Sequence, residues 1–140
     1  MHEITMSVDG ACKGNPGPAG IGVVLVCGPH RKELSKAIGH ATNNIAELTA
    51  VIEGLKALKE PAACHVTLYT DSQLVYGLLA LRWKPKANRE LVAEMKEWVS
   101  KCASLTVVKV AGHSGDPLNE RADALASQAA SGAEPAVLGT

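Results

Sequence analysis

The chain has 140 residues, enough for one domain that buries its own core without disulfide or metal staples. Apolar residues make up 46% of it, yet Phe is absent and aromatics reach only 3%, so the core must be aliphatic. The formal net charge is zero, which excludes an overall basic field as the way of holding a nucleic acid and leaves only a local patch.

Strand signals cover residues 3–11, 20–27 and 31–39, separated by Gly/Pro/Asn clusters, and predict a three-stranded antiparallel meander. The connection after the first strand, through Lys13 to Pro18, is long and stiff for a hairpin. A helix is expected from Asn44 to about Lys59, because Ile45, Leu48, Ile52, Leu55 and Leu58 recur at helical spacing, and Pro61 ends the pattern. "HVTLYT" (65–70) reads as a strand and 72–81 as a helix. Residues 82–89 break regularity at Pro85. A helix follows over 88–101, with Leu91, Met95, Trp98 and Val99 on one side. "LTVVKV" (105–110) is a fifth strand, and the last helix opens at Asp116-Pro117, where Asp suits the cap and Pro the first helical position. This order predicts an α/β fold: a five-stranded mixed sheet, three antiparallel strands then two parallel, flanked by helices. A single domain over 1–130 and a flexible tail over 131–140 are expected.

No apolar run approaches the roughly 20 residues a membrane span needs. The N-terminus lacks the basic-then-apolar layout of a signal peptide, so a cytoplasmic protein is expected. Cys12, Cys27, Cys64 and Cys102 form no CxxC pair and suit free thiols in a reducing cell. Cys64 and Cys102 each precede a predicted strand, so a disulfide between them stays open.

Four acids stand where this layout can gather them. Asp9 ends the first strand. Asp71 ends the fourth, at the carboxyl edge where open α/β sheets bind ligands. Glu47 lies in the first turn of the first long helix, and Asp123 in the second turn of the last, with Asn119 one turn earlier on the same face. If the first and fourth strands are central neighbours, these carboxylates converge, and they repel and protonate unless a cation holds them. Oxygen-only ligands favour Mg²⁺ or Mn²⁺ over zinc. Each acid also has a plain structural reading: a capping box from Asn44 to Glu47, a helix cap at Asp71, a solvated charge at Asp123, a turn at Asp9-Gly10.

The surroundings of these acids carry more. "DGACKGNPGPAGIG", "TNNIAEL", "YTDSQLV" and "GHSGDPLNERAD", in that order, resemble type 1 ribonuclease H across residues 3 to about 130. The resemblance implies the ribonuclease H-like fold and a metal-dependent endonuclease that cuts the RNA strand of RNA/DNA hybrids and leaves 5′-phosphate and 3′-hydroxyl ends. It implies that Asp9, Glu47, Asp71 and Asp123 bind two Mg²⁺ ions with substrate, with Mn²⁺ as a substitute. It makes His113 the mobile-loop histidine that assists the reaction or product release. Asn119 then either orients His113 or a metal water, or is an exposed helix amide. Gly14, Asn15, Asn44 and Gln73 become candidates for contacts to the RNA strand, Cys12 through its backbone, and Asn43 a further substrate-binding candidate. Thr42 and Asn88 match positions that hold a phosphate of the DNA strand; otherwise they are a turn residue and a helix cap. The substrate is the only partner implied, and a monomer is expected.

Two departures bear on binding. The long basic protrusion that many members carry between the third and fourth helices is reduced here to "ALRWKPKANREL", where Arg82, Lys84, Lys86 and Arg89 surround Trp83. Trp83 then either packs on a sugar or base or covers the core. Ala111 stands where a lysine often precedes the GH motif. Weaker, strongly salt-dependent binding is the expectation. The rival readings are a non-catalytic hybrid-binding module on the same fold and a nuclease that also cuts double-stranded RNA. Exonucleases with a DxE pair on the first strand are excluded by "DGA".

Overall fold

The computed structural model describes residues 1–112 and 115–132. The chain runs β1 (His2–Cys12), β2 (Gly17–Cys27), β3 (His30–Ala41), α1 (Asn43–Lys56), β4 (Cys64–Thr70), α2 (Gln73–Ala80), α3 (Arg89–Ser100), β5 (Ser104–Lys109) and α4 (Pro117–Ala130), with a single 3₁₀ turn at Pro61–Ala63 before β4. The sheet order is β3-β2-β1-β4-β5. The first two pairings are antiparallel and the last two parallel. The mixed sheet expected from the sequence is therefore observed, with β1 and β4 as central neighbours.

Alternation along β1 divides the sheet into two faces. Met6 and Val8 are fully buried in the main core with Leu48, Val51 and Leu55 of α1, Leu68 of β4 and Met95 of α3. Ser7 and Asp9 point to the other face, which α4 covers. On that face Gly22, the partner of Asp9 across β1–β2, lies directly beneath the α4 backbone at Ala122 and Ala126. A side chain at Gly22 would lift the helix off the sheet. Arg121 anchors α4 further through Glu33 (Nη2–Oε1 2.9 Å), and Ser35 Oγ donates to the Leu125 carbonyl at 2.7 Å.

Most element ends shift by a residue or two, and three shifts bear on the site. β2 begins at Gly17, which shortens the stiff connection to Lys13–Pro16; the Lys13 N–H donates to the Pro18 carbonyl at 2.8 Å and keeps the ladder going past the first proline. Helix α1 ends at Lys56 instead of about Lys59, because the Ala57 N–H turns back to the Gly54 and Leu55 carbonyls. It also starts one residue early, with Thr42 as its cap. All four cysteines are free thiols, and burial first of all pushes the Cys64 and Cys102 thiols up. No helix among the described residues is long and apolar enough to cross a membrane. The expected flexible tail falls, from residue 133 onward, outside the described residues.

Candidate active site

The parallel pairing of β1 with β4, in register from His2–Cys64 to Ser7–Tyr69, carries both strands to the same carboxyl edge. Asp9 projects there from β1, and Asp71 follows directly after Thr70. Helix α1 brings the third acid. Its first turns sit so close to β1 that a Cβ on Gly10 would lie 2.5 Å from the Ala46 carbonyl carbon and 2.6 Å from the Glu47 nitrogen. Only glycine permits that approach. The Gly10 N–H then reaches both Asp9 Oδ1 (2.9 Å) and Glu47 Oε1 (3.2 Å). Carboxylate oxygens of Asp9, Glu47 and Asp71 all lie within 4.8 Å of one another.

The plain readings of these acids give way one by one. Helix α1 is capped by Thr42, whose Oγ1 accepts from the Ile45 N–H at 3.2 Å. Glu47 thus falls in the second turn, not the first, and makes no capping box with Asn44; its carboxyl turns to Gly10. Ser72, not Asp71, caps α2, its Oγ accepting from the Val75 N–H at 3.1 Å. Asp9 is 6% exposed and belongs to a strand rather than a turn. Asp123 is half-buried and reaches Asp9 from α4. It stands outside the tight group of three, next to one of its members.

Burial and mutual repulsion leave this centre short of positive charge. Asp9 rises from 3.8 to about 8, chiefly through burial, then through repulsion from Asp71 and contact with Asp123, while the Gly10 N–H pulls it down. Glu47 rises from 4.5 to about 9 for the same leading reason, with Asp9 and Asp71 next. Such carboxyls hold protons near neutral pH unless a cation replaces them. A cluster of carboxylate oxygens with no nitrogen or sulfur ligand suits a hard divalent cation, so the residues fit the metal that the sequence implies.

Around the acids, the structure distributes the other expected site residues. Gln73 opens α2 two positions after Asp71 and is exposed. Gly14 and Asn15 are exposed in the β1–β2 loop, and Asn43 and Asn44 are exposed at the start of α1. Asn15 Oδ1 accepts from the Asn43 N–H at 3.0 Å, and Cys12 Sγ lies 3.0 Å from the Ala41 carbonyl. Asn119 is 2% exposed, not the exposed amide that was one of its readings. Its Oδ1 has no partner among the described residues. His113 lies outside the described residues; Gly112 before it sits beside Asp71, where a Cβ would come 3.2 Å from Oδ2.

Trp83 and Asn88 stand apart from the acids. With Asn44, Leu74, Lys84 and Val92 they line a groove of about 550 Å³ between α2 and α3. The Trp83 ring lies on the backbone of Gly77, the Trp83 backbone N–H donates to the Gly77 carbonyl at 3.0 Å, and the residue remains 40% exposed. Asn88, at φ 54°, occupies the N-cap position of α3, its carbonyl accepting from the Val92 N–H at 2.9 Å and its side chain making no capping bond. Gly10 is the functional residue that sequence reasoning missed. Its signal was a glycine inside a strand pattern, which marks close backbone approach, but the DG pair read as a turn.

The sequence model of the RNase H family matches residues 1–131. The chain is 48% identical to the ribonuclease H of Cupriavidus metallidurans, over 91% of this chain and 95% of that one. It is 45% identical to that of Desulforamulus reducens, over 93% and 89%. Among solved structures, RNase H1 from the archaeon Halobacterium salinarum is 34% identical with a TM-score of 0.79, covering 94% of this chain and 99% of that one. LC11-RNase H1 in complex with an RNA/DNA hybrid is 30% identical, again with a TM-score of 0.79, over 93% and 98%. Fold, acidic centre and relatives define a nucleic-acid-binding hydrolase, a nuclease. The chain belongs to the ribonuclease H family, and its enzymatic class is ribonuclease H.

Proposed function

We propose that this chain hydrolyses the RNA strand of RNA/DNA hybrids as an endonuclease, using two divalent cations, Mg²⁺ in the first place, and leaving 5′-phosphate and 3′-hydroxyl ends. The observation that carries the reading is the convergence of Asp9, Glu47 and Asp71 oxygens within 4.8 Å at one sheet edge. The ribonuclease H relatives and the neighbour bound to a hybrid support the substrate class.

Asp9, rigid on β1 and central to the group, would hold the ions together with Asp71, Glu47 and Asp123. When bound, the ions supply charge stabilisation at the scissile phosphate and a water of lowered pKa. The chain's own part is to hold these oxygens in place. The Gly10 N–H fixes Asp9 and Glu47 together, and the buried Asn119 Oδ1 is an acceptor positioned to orient a water or the His113 side chain. His113, flanked by Gly112 and Gly115, acts as a proton or product shuttle. Gly14, Asn15, Asn44 and Gln73 face the RNA strand, where a 2′-hydroxyl can both donate and accept. Thr42 and Asn88 face a DNA-strand phosphate.

Cleavage of an RNA/DNA hybrid, double-stranded RNA and double-stranded DNA, each with Mg²⁺ and with chelator, tests the proposal. Metal-dependent cutting of the hybrid strongly preferred over both others is expected. Equal cutting of double-stranded RNA would replace the hybrid reading with a general RNA-duplex nuclease, and binding without cutting would leave a hybrid-binding module. His113→Ala should slow turnover and leave measurable cleavage; a loss as complete as that of Asp9→Asn would remove the shuttle role.

A further inference from the structure

Two segments through which the proposed function holds the two strands of the duplex are tied to each other in the protein. The Lys13–Pro16 loop carries Gly14 and Asn15, the RNA-side candidates. The junction of β3 with α1 carries Thr42, the DNA-side candidate, and Asn44, a further RNA-side candidate, together with Asn43. The Asn43 N–H is one of the first amides of α1, a donor that no carbonyl within the helix can satisfy. Thr42 Oγ1 is engaged with Ile45, so it does not serve Asn43. Asn15 Oδ1 does, at 3.0 Å from across the loop. Because the donor is a backbone N–H, the atom facing it must be the amide oxygen, which leaves the Asn15 NH₂ as the donor available to a ligand.

A second tie lies beside the first. Cys12 Sγ is 3.0 Å from the Ala41 carbonyl, and Gly17 pairs with Ala41 where β2 begins. Buried Ala19, Ala41 and Ala46 pack beneath, with Cys12 and Ile45 against them. The Lys13 carbonyl occupies the space that a Gly17 side chain would need, so the loop has little room to swing.

We infer that Asn15 is a positioning residue: its side-chain carbonyl latches the β1–β2 loop to the N-terminus of α1, so that the surfaces for the two strands of the duplex move as one body. The inference rests on the hybrid-cleaving reading for its consequence, but the latch itself is testable without any substrate. A preset separation between two strand-holding surfaces lowers the ordering cost of binding. Losing the latch should therefore fall on KM rather than on kcat.

Two substitutions separate the latch from a direct contact. Asn15→Ala removes both the carbonyl and the NH₂, whereas Asn15→Asp keeps an acceptor for the Asn43 N–H and removes the NH₂ donor. Amide hydrogen exchange at Asn43 should quicken at least about tenfold in Asn15→Ala and stay near the parent rate in Asn15→Asp. With hybrid substrate at about 0.15 M salt, where an added charge is largely screened, KM should rise about fivefold in Asn15→Ala, the size of a lost helix cap. It should return most of the way in Asn15→Asp. Unchanged Asn43 exchange in Asn15→Ala would overturn the latch. Restored exchange with KM as poor in Asn15→Asp as in Asn15→Ala would make Asn15 a direct contact instead. If the parent protein itself fails to cleave hybrid, the functional reading fails while the exchange result still decides the latch.

Discussion

The acid centre and the Trp83 groove lie at two ends of one proposed substrate surface, and they are built in opposite ways. Asp9, Glu47 and Asp123 stand on regular elements, Asp71 follows β4 directly, and backbone groups bind two of the four, as the Gly10 N–H does between Asp9 and Glu47. The groove wall instead comes from the irregular segment between α2 and α3, held by one stacked ring and a turn onto Gly77. Chemistry at a phosphate needs oxygens fixed to fractions of an ångström, whereas gripping a strand tolerates slack. Damage to the acid centre should thus abolish cleavage and spare binding, and damage to the groove should do the reverse.

The largest expected effect comes from Asp9→Asn. Removing the charge at the middle of the acid group forfeits several kcal/mol of transition-state stabilisation, so cleavage should fall on the order of a thousandfold or more. Hybrid affinity, measured in Ca²⁺ or chelator to suppress cutting, should stay near that of the parent. Undiminished cleavage would sink the proposed site; lost affinity with residual cleavage would erase the contrast with the groove. Next in size is Gly10→Ala. The added methyl has no room against Ala46 and Glu47, and overpacking of this kind costs about 1–3 kcal/mol. Urea unfolding should show that loss, together with a cleavage defect larger than the loss of stability explains, because α1 must move and take Glu47 with it.

A third effect follows from the proton affinity of the same carboxyls. Asp9 and Glu47 are raised in the folded chain, to about 8 and about 9, so the folded state binds more protons than the unfolded one between about pH 4 and those values. Without metal, their contribution to stability is present in full below about pH 4 and is lost as pH climbs through about 8 to 9. Mg²⁺ replaces the protons, so it should raise the melting temperature more at pH 8 than at pH 5.5. An equal rise at both pH values would mean that the ions bind elsewhere.

The same contrast explains what the sequence made legible. The mixed sheet could be read because strands and helices carry their own periodicity, and the meander followed by alternating helix and strand admits few topologies. Asp9 and Asp71 converge only if β1 and β4 are neighbours, a condition the sequence left open and the sheet order fulfils. Glu47 was harder. Its local context, three residues after Asn44, matches a capping box, and only the contact of α1 with Gly10 shows where the carboxyl goes. Asn119 reads as an exposed helix residue beside Glu120 and Arg121, yet α4 turns it inward onto the sheet. The groove was legible only as composition. Nothing in "LRWKPK" says that Trp83 turns back onto Gly77, since that depends on a glycine earlier in α2 and on Arg82 adopting φ 60°.

Gly77 therefore offers the finest test of the contrast. Its missing side chain lets the Trp83 ring lie flat on α2, and that position gives the groove one of its walls. Gly77→Ala improves helix propensity by about 1 kcal/mol and at the same time pushes the ring off its seat. The two effects on stability oppose each other, so the melting temperature should barely move. Hybrid affinity should still drop about fivefold, near the lower end of what one aromatic stacking contact contributes, while kcat stays close to that of the parent. Lys84→Ala and Lys86→Ala should each lower the salt slope of binding by about 1, and Gly77→Ala should leave that slope alone, because it displaces a ring and no charge. A Gly77→Ala protein that binds like the parent would make Trp83 a cover for the core, and the lysines alone would then carry the DNA side of the surface.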